Sequence, residues 1–420
     1  MKEAVIVDAC RSAIGRAGDR GVYRAIGPND LMVPVLNAII ERNKLDPNLI
    51  DEVVVGSAAT IGNAMTRNTV LIAGLPQSVA ASDTARQCAS ASNAIAVAAH
   101  YIINDDADII IAGGLETMDR RGPVPPSQIG RRGAGGGGGD LSRLLGGQDE
   151  GEYPPDWKKA NIMPAFLPPD VPMWIYDMGR TAEELSMRYG ISKEDSDAFA
   201  LTSHEKAIAA QDAGLFKDEI VPITINYEDG SSEAIEVDQC PRRGTSLERI
   251  AAVPPAYRED GLVTAANSCP RSDGAGAVLL MSKEKAKELG YKPMCTFRHA
   301  VMVGVDPTVM GIGPVPSTQK ILKRTGMKLS DFDIIEINEA FACQVVYSMR
   351  ELGFTDKEVE KLNPKGGAIA IGHPLGMTGS RQAAVIAHEM VRRDLEWGLA
   401  TLCVGGGQGM ATIFQRENYT

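Results

Sequence analysis

The chain has 420 residues, with 43 Lys plus Arg against 54 Asp plus Glu, a formal charge of −11. At about 100–200 residues per domain this length predicts two or three domains, and 44% apolar content supplies sizeable cores, which excludes disorder over most of the chain. An acidic balance with 5% aromatic residues lacks the cationic field and stacking platform of a nucleic-acid binder, and no run reaches the roughly 18–20 apolar residues of a bilayer span.

In chain order, the start at Met1–Val7 enters a strand-like run without a signal peptide's basic and apolar regions, so a soluble, cytoplasmic protein is expected. Continuous apolar runs at Val5–Val7, Val53–Val55, Ile109–Ile111 and Ala277–Leu280 read as buried strands of an α/β sheet, with more at Ile334–Ile337, Ala368–Ile371 and Leu399–Val404. The two ends of the chain repeat each other. Leu49–Gly56 resembles Asp331–Asn338, Ala94–His100 resembles Gln382–His388, and each helix is followed by a strand ending in glycines, at Gly113-Gly114 and Gly405–Gly407. A duplicated α/β core follows from that order.

Between the halves, from about residue 119 to 248, lies a different kind of sequence. Nine of the 24 prolines fall between Pro123 and Pro172, beside the glycine-rich tract 133–139. Proline removes a donor and glycine loses much entropy on ordering, so this stretch reads as a long loop or flap. The tract lacks the Lys-Ser/Thr ending of a P-loop and the strand-to-helix setting of a dinucleotide fingerprint. Two helices are predicted next, one starting at Thr181 with Glu184 three residues on, the other at Ser192 with Asp195, ending at Gly214. His204, among Glu205 and Lys206, is placed on the solvated face of the second.

Seven cysteines, an odd number spread from Cys10 to Cys403, do not form a disulfide framework, and neither Cys-x-x-Cys nor His-x-x-x-His supports a metal site. Reduced thiols are expected. Cys88 directly precedes the Ala-rich helical run to His100, where unpaired N–H groups and the positive dipole end favour thiolate; by its local sequence alone, a small buried hydrophobe is the default reading. His373, boxed by glycines at the end of an apolar strand, is placed like a general base. Cys403-Val404-Gly405 ends another strand where bare amides can face an oxyanion, and Asn338-Glu339-Ala340-Phe341 ends a third. All four segments are predicted at carboxyl ends of strands or at the helix starts that follow, where open α/β folds keep their sites.

These segments, with the opening Val5–Arg16 and the stretch Val305–Pro316, resemble the thiolase superfamily of acyl-CoA acyltransferases over nearly the whole chain. The resemblance implies an α/β duplicated core of two βαβαβαββ halves layered α-β-α-β-α. The halves are bounded at 1–118 plus 249–282 and at 283–420, with 119–248 an inserted loop domain over coenzyme A. It implies that Cys88 takes the acyl group as a thioester, His373 accepts its proton, and Cys403 moves a proton at the substrate's α-carbon. One oxyanion site is His373 with a water held by Asn338; the other is the amides of Cys88 and Gly405. Coenzyme A is then a co-substrate, with no permanently bound cofactor and no metal, and a homodimer or homotetramer is expected, with room for an accessory subunit.

Departures from the family pattern touch the substrate. Ala89 and Ala91 stand where relatives often have glycine, Asp177-Met178-Gly179 where many have histidine before Met-Gly, and Asn267–Asp273 replaces the usual Asn-x-Ser-Gly run near the pantetheine. Met178, Arg242, Cys269, Arg271 and Met310 are the candidate contacts to the CoA ester, although packing is the default for Cys269 and a surface position for Arg271. The sequence favours thiolysis of a 3-oxoacyl-CoA with a non-standard acyl group, branched, aromatic or carboxylated. Its rivals are a biosynthetic acetoacetyl-CoA thiolase, a ketoacyl synthase, and a non-catalytic acyl-CoA-binding subunit. Cys403 argues against the synthase, and the intact set of Cys88, Asn338, His373 and Cys403 against the subunit.

Overall fold

The computed structural model describes residues 2–58, 65–118, 177–227 and 229–417. The first apolar runs lie in β1 (Ala4–Ser12), β2 (Glu52–Gly56), β4 (Ile109–Glu116) and β5 (Ser272–Ser282), which with β3 (Ala80–Thr84) assemble in the order β3-β2-β4-β5-β1. The second unit is β6 (Cys295–Gly304), β7 (Ile334–Ile337), β8 (Trp397–Val404) and β9 (Gln408–Gln415) in the order β7-β8-β9-β6, with Leu362 bridging Ile335 where the first unit has β3. The similar segments 49–56 and 331–338 thus carry β2 and β7, which hold the same place in the two units. The units join where β1 pairs with β6 at Val5↔Thr296 and Ile6↔Cys295.

Alternation along β2 shows how the layers form. Val53 and Val55 face α1 (Pro28–Arg42), whose Leu31, Val35 and Ile39 share their core; α2 (Met65–Ile72) adds Val70 to the same layer. Val54 faces the other way, toward α3 (Ser90–Ile103). In the second half Ile335 and Ile337 face α6 (Pro314–Thr325) and α7 (Ala342–Glu351), while Ile334 faces α9 (Thr378–Arg393). Helices α3 and α9 share one apolar core between the two units, so the architecture is the five-layered α-β-α-β-α of a duplicated α/β core.

The inserted region contributes α4 (Met178–Tyr189) and α5 (Lys193–Asp212) among the described residues. The tract 133–139 and the prolines of 123–172 lie outside them. Helix α5 starts as predicted, with Ser192 Oγ accepting from the Asp195 N–H at 3.0 Å, and Gly214 lies just beyond its end at φ +68. Helix α4 starts earlier than predicted: Asp177 is its N-cap, its carboxylate accepting from the Arg180 N–H at 3.3 Å. Thr181 is interior, its hydroxyl donating to the Met178 carbonyl at 2.7 Å. His204 is also not solvated. It is 1% exposed, and its Nδ1 accepts from the Arg242 N–H at 3.2 Å because the 238–245 segment covers that face.

Residues Ala368–Ile371 form a helical turn, α8, and not a strand. Four apolar residues satisfy either geometry. The choice is made by the buried Glu339 carboxylate, which accepts from the Ile369 N–H at 3.1 Å, and by Ile371 N–H and Gly372 N–H turning back onto Gly367 and Ala368. No helix among the described residues is long and apolar enough to cross a membrane.

Candidate active site

Cys88 sits in a single 3-10 turn, Gln87–Ala89, that feeds α3. The approach is kinked: Gln87 has φ +45, a left-handed conformation that a non-glycine residue holds only under constraint. Ser90 supplies the constraint, its hydroxyl accepting from the Arg86 N–H at 2.9 Å and donating to the Gln87 carbonyl at 2.7 Å. The thiol is 6% exposed. Burial pushes it up to about 11, while the backbone amides of Gly405 and of Cys88 itself pull the other way. The helix start therefore does not leave a resting thiolate, as the sequence suggests it should; desolvation of the charged form outweighs those amides.

His373 follows α8, not a strand. Its loop docks tightly on the first half: Gly376 donates to the Glu116 carboxylate at 2.9 Å, and the Gly376 carbonyl accepts from the Ala91 N–H, three residues past Cys88, at 3.0 Å. A Cβ on Gly376 would come within 2.4 Å of the Leu115 carbonyl, so only glycine permits the approach. The ring's tautomer follows from its partners. Thr378 Oγ1 lies 2.6 Å from Nδ1 and 2.9 Å from the Pro374 carbonyl. The hydroxyl spends its one proton on the carbonyl, so it accepts from Nδ1–H and leaves Nε2 bare. Burial, aided by the Arg381 charge, holds the ring down to about 3, so the imidazole is neutral at physiological pH. A neutral ring with an unprotonated Nε2 can accept a proton there, as a general base does.

Asn338, fully buried after β7, places its Nδ2 3.3 Å from His373 Nε2, and its Oδ1 has no partner among the described residues. Its segment is fixed by Asn363, which exchanges hydrogen bonds with both backbone groups of Ile337 at 2.9 Å and donates to Glu339 at 2.7 Å; Glu339 in turn accepts from Ser203 of α5 at 2.6 Å. Cys403 is fully buried near the end of β8, its thiol raised well above the ordinary range by burial and then by the nearby Cys88 and Cys269. Two residues on, the three-glycine turn carries Gly405, followed by Gly406 and Gly407 at φ +81 and +82.

The candidate CoA contacts divide. Met178 lies beside Gly405, its sulfur 3.6 Å from where a Cβ would stand, and Met310 shares an apolar cluster with Cys403, Ala340 and Phe341. Cys269 joins them through its N–H on the Ala340 carbonyl at 3.1 Å. Arg242 instead lines a groove of about 330 Å³ with His204, Asp212 and Thr245, one N–H spent on the Ala265 carbonyl at 2.9 Å. Arg271 is exposed and donates to the Met118 carbonyl at 2.8 Å. Nothing in the sequence pattern points to Glu116 or Arg381, whereas Asn363 and Thr378 lie in the same glycine-rich stretch as His373 without a role assigned to them. Among the described residues no group of three or more His, Cys, Asp or Glu can hold a metal ion.

Residues 4–284 match the family model for the thiolase N-terminal domain, and residues 291–416 that for the thiolase C-terminal domain. The chain belongs to the thiolase family. It is 40% identical over 418 residues to the acetyl-CoA acetyltransferase of Allochromatium vinosum, covering 98% of each chain, and 41% identical over 421 residues to the 3-ketoacyl-CoA thiolase of Aliivibrio fischeri, covering 99% of this chain and 100% of that one. Among solved structures it resembles the Bacillus anthracis acetyl-CoA acetyltransferase with a TM-score of 0.83 at 36% identity, and human mitochondrial 3-ketoacyl-CoA thiolase with 0.81 at 32%, each over 99% of both chains. Both kinds of thiolase are thus represented among its relatives.

Proposed function

We propose that this thiolase cleaves a 3-oxoacyl-CoA by CoA-dependent thiolysis through an acyl-Cys88 intermediate. The observation that carries the reading is the docking of the His373 loop on the start of α3, where the Gly376 carbonyl accepts from the Ala91 N–H three residues past Cys88, with Asn338 Nδ2 3.3 Å from His373 Nε2. Cys88 gives its proton to His373 Nε2 and attacks the 3-oxo carbon, and the two amides hold the oxyanion. Breaking the carbon–carbon bond releases a thioester enolate, held by the His373 imidazolium and a water for which Asn338 Oδ1 is the free acceptor. Cys403 protonates the α-carbon. The CoA thiol then returns a proton to Cys403 and attacks the acyl thioester, and Cys88 leaves, recovering its proton from His373.

Degradation is preferred because thioester condensation runs uphill unless product is drained. Ala89 and Ala91, both fully buried, leave less room near Cys88 than glycine, which supports a non-standard acyl group. The relatives named acetyl-CoA acetyltransferase favour the second reading, biosynthetic acetoacetyl-CoA formation. CoA is a co-substrate here and the assembly a cytoplasmic homo-oligomer. The test is Cys403→Ala: acylation of Cys88 by a simple acyl-CoA such as acetyl-CoA, which needs no carbon–carbon cleavage, stays measurable by mass spectrometry, while cleavage across a panel of short, branched, aromatic and carboxylated 3-oxoacyl-CoA esters is abolished. Unchanged cleavage in that variant refutes the proton-transfer role, and the panel's best substrate decides between the two readings.

A further inference from the structure

The two amides at the nucleophile come from different halves of the fold, and the backbone on each side is poorly suited to hold them in place. Gln87 precedes Cys88 at φ +45, and Gly405 opens a turn whose next two residues are glycines at φ +81 and +82. Such a turn keeps a fixed shape only when something outside it supplies the restraint. One side-chain hydrogen bond among the described residues spans the two segments. Arg86 Nη1 donates to Gln408 Oε1 at 3.2 Å, where Gln408 is the first residue of β9 and closes the glycine turn by pairing with Val404. Arg86 Nε donates to Asn93 Oδ1 of α3 at 2.9 Å, and Asn93 Nδ2 donates to Thr84 Oγ1 of β3 at 2.7 Å.

We propose that Arg86 is a positioning residue, a strut from α3 to the start of β9 that sets the spacing between the Cys88 and Gly405 amides and so the shape of the oxyanion hole. The planar guanidinium suits this role because it directs two N–H groups along fixed, diverging lines, which an ammonium cannot do. Its charge is not the active feature: the charged group that acts on the Cys88 thiol is Glu116, not Arg86. The strut therefore matters most when an oxyanion forms on the substrate, and less when the thiol reacts without one, where only the pull of the Gly405 amide on the thiol changes.

This inference rests on the acyl-Cys88 reading, and two reactions of the same sulfur separate them. Alkylation by iodoacetamide forms no tetrahedral oxyanion, whereas acylation by the best 3-oxoacyl-CoA of that panel does. Both are followed by mass spectrometry in the wild type and in Arg86→Lys, Arg86→Met, Gln408→Leu and the Arg86→Met/Gln408→Leu double variant. A misplacement on the scale of an ångström costs about 10²-fold, so each single variant is expected to acylate about that much more slowly, the double variant no worse than either single, and alkylation to fall by much less. Wild-type acylation in Arg86→Lys overturns the strut. Equal losses in acylation and alkylation overturn it too, since they place the defect in the thiol or the fold. A wild-type enzyme that no 3-oxoacyl-CoA of the panel acylates removes the underlying reading instead, and this one with it.

Discussion

At the scale of single residues the site is a pair of neutral groups held ready, not an ion pair. Burial raises the Cys88 thiol to about 11 and lowers the His373 imidazole to about 3, so in the free enzyme the proton stays on sulfur. In the proposed mechanism, acylation then needs the substrate's developing oxyanion, placed at the amides, to draw the proton across. The sign is checkable. A thiol with a raised pKa is protonated throughout the neutral range, and its thiolate fraction grows tenfold per pH unit until the pKa is reached. Iodoacetamide labelling of Cys88 is therefore expected to climb from pH 7 to pH 10 by about 10³-fold without a plateau. A plateau near pH 7, the mark of a thiolate–imidazolium pair, contradicts the neutral resting state. Much of this constellation was legible in the sequence because Cys88, Asn338, His373 and Cys403 are chemically unusual residues in glycine-rich settings. The neutral resting state was not, since desolvation depends on what packs around a residue and not on its position at a helix start.

At the scale of elements, the runs that read correctly are those whose neighbours leave one choice. Ile334–Ile337 is a strand because it runs parallel to β8 over its full length, whereas the equally apolar Ala368–Ile371 winds into a helical turn around the Glu339 carboxylate, a partner 29 residues upstream of Ala368. His204 was misplaced for the same reason, its cover arriving from the 238–245 segment. That segment is anchored by a buried ion pair: Arg11 of β1 donates to both Asp238 oxygens at 2.7 and 2.9 Å, with Glu219 at 3.3 Å, all with side chains fully buried. Asp238 also accepts from the Ile14 N–H at 2.7 Å, so the inserted region is fastened to the first strand through charge and backbone together. Removing Asp238 leaves the buried Arg11 with only the longer Glu219 carboxylate contact and strips the Ile14 N–H of its acceptor. Asp238→Ala is expected to destabilise the fold by about 3–5 kcal/mol, and Arg11→Met/Asp238→Leu by less than that. Urea unfolding followed by circular dichroism measures both, and a loss below about 1 kcal/mol in the single variant, the range of an exposed pair, rules out the anchor.

At the scale of the whole molecule, the duplication read from segments 49–56 and 331–338 fixes the strand order of both units, yet it does not say which sheet edges stay open. Strand β3 ends the first unit, and among the described residues no strand pairs with its outer side. The Ala80 N–H bonds to Asp51 and the Thr84 carbonyl accepts from Ser57, so Ala80, Ser82 and Thr84 turn their backbone groups toward β2. Ala81 and Asp83 turn theirs outward, a template for another strand. Cys88 lies four residues beyond Thr84, and Asn93 bonds back to Thr84, so whatever covers this edge also steadies the nucleophile loop. The proposed homo-oligomer supplies such a cover by setting β3 of a second copy alongside. Proline is tolerated on an edge strand where the lost N–H faces outward. Ala81→Pro therefore leaves the sheet of each chain intact while removing a donor that the second copy needs. The expected result is a fall in mass to the single chain by light scattering, with an unchanged far-ultraviolet spectrum and slower thiolysis. A variant that keeps the wild-type mass places the contact elsewhere, and a wild type that is itself a single chain ends the assembly argument.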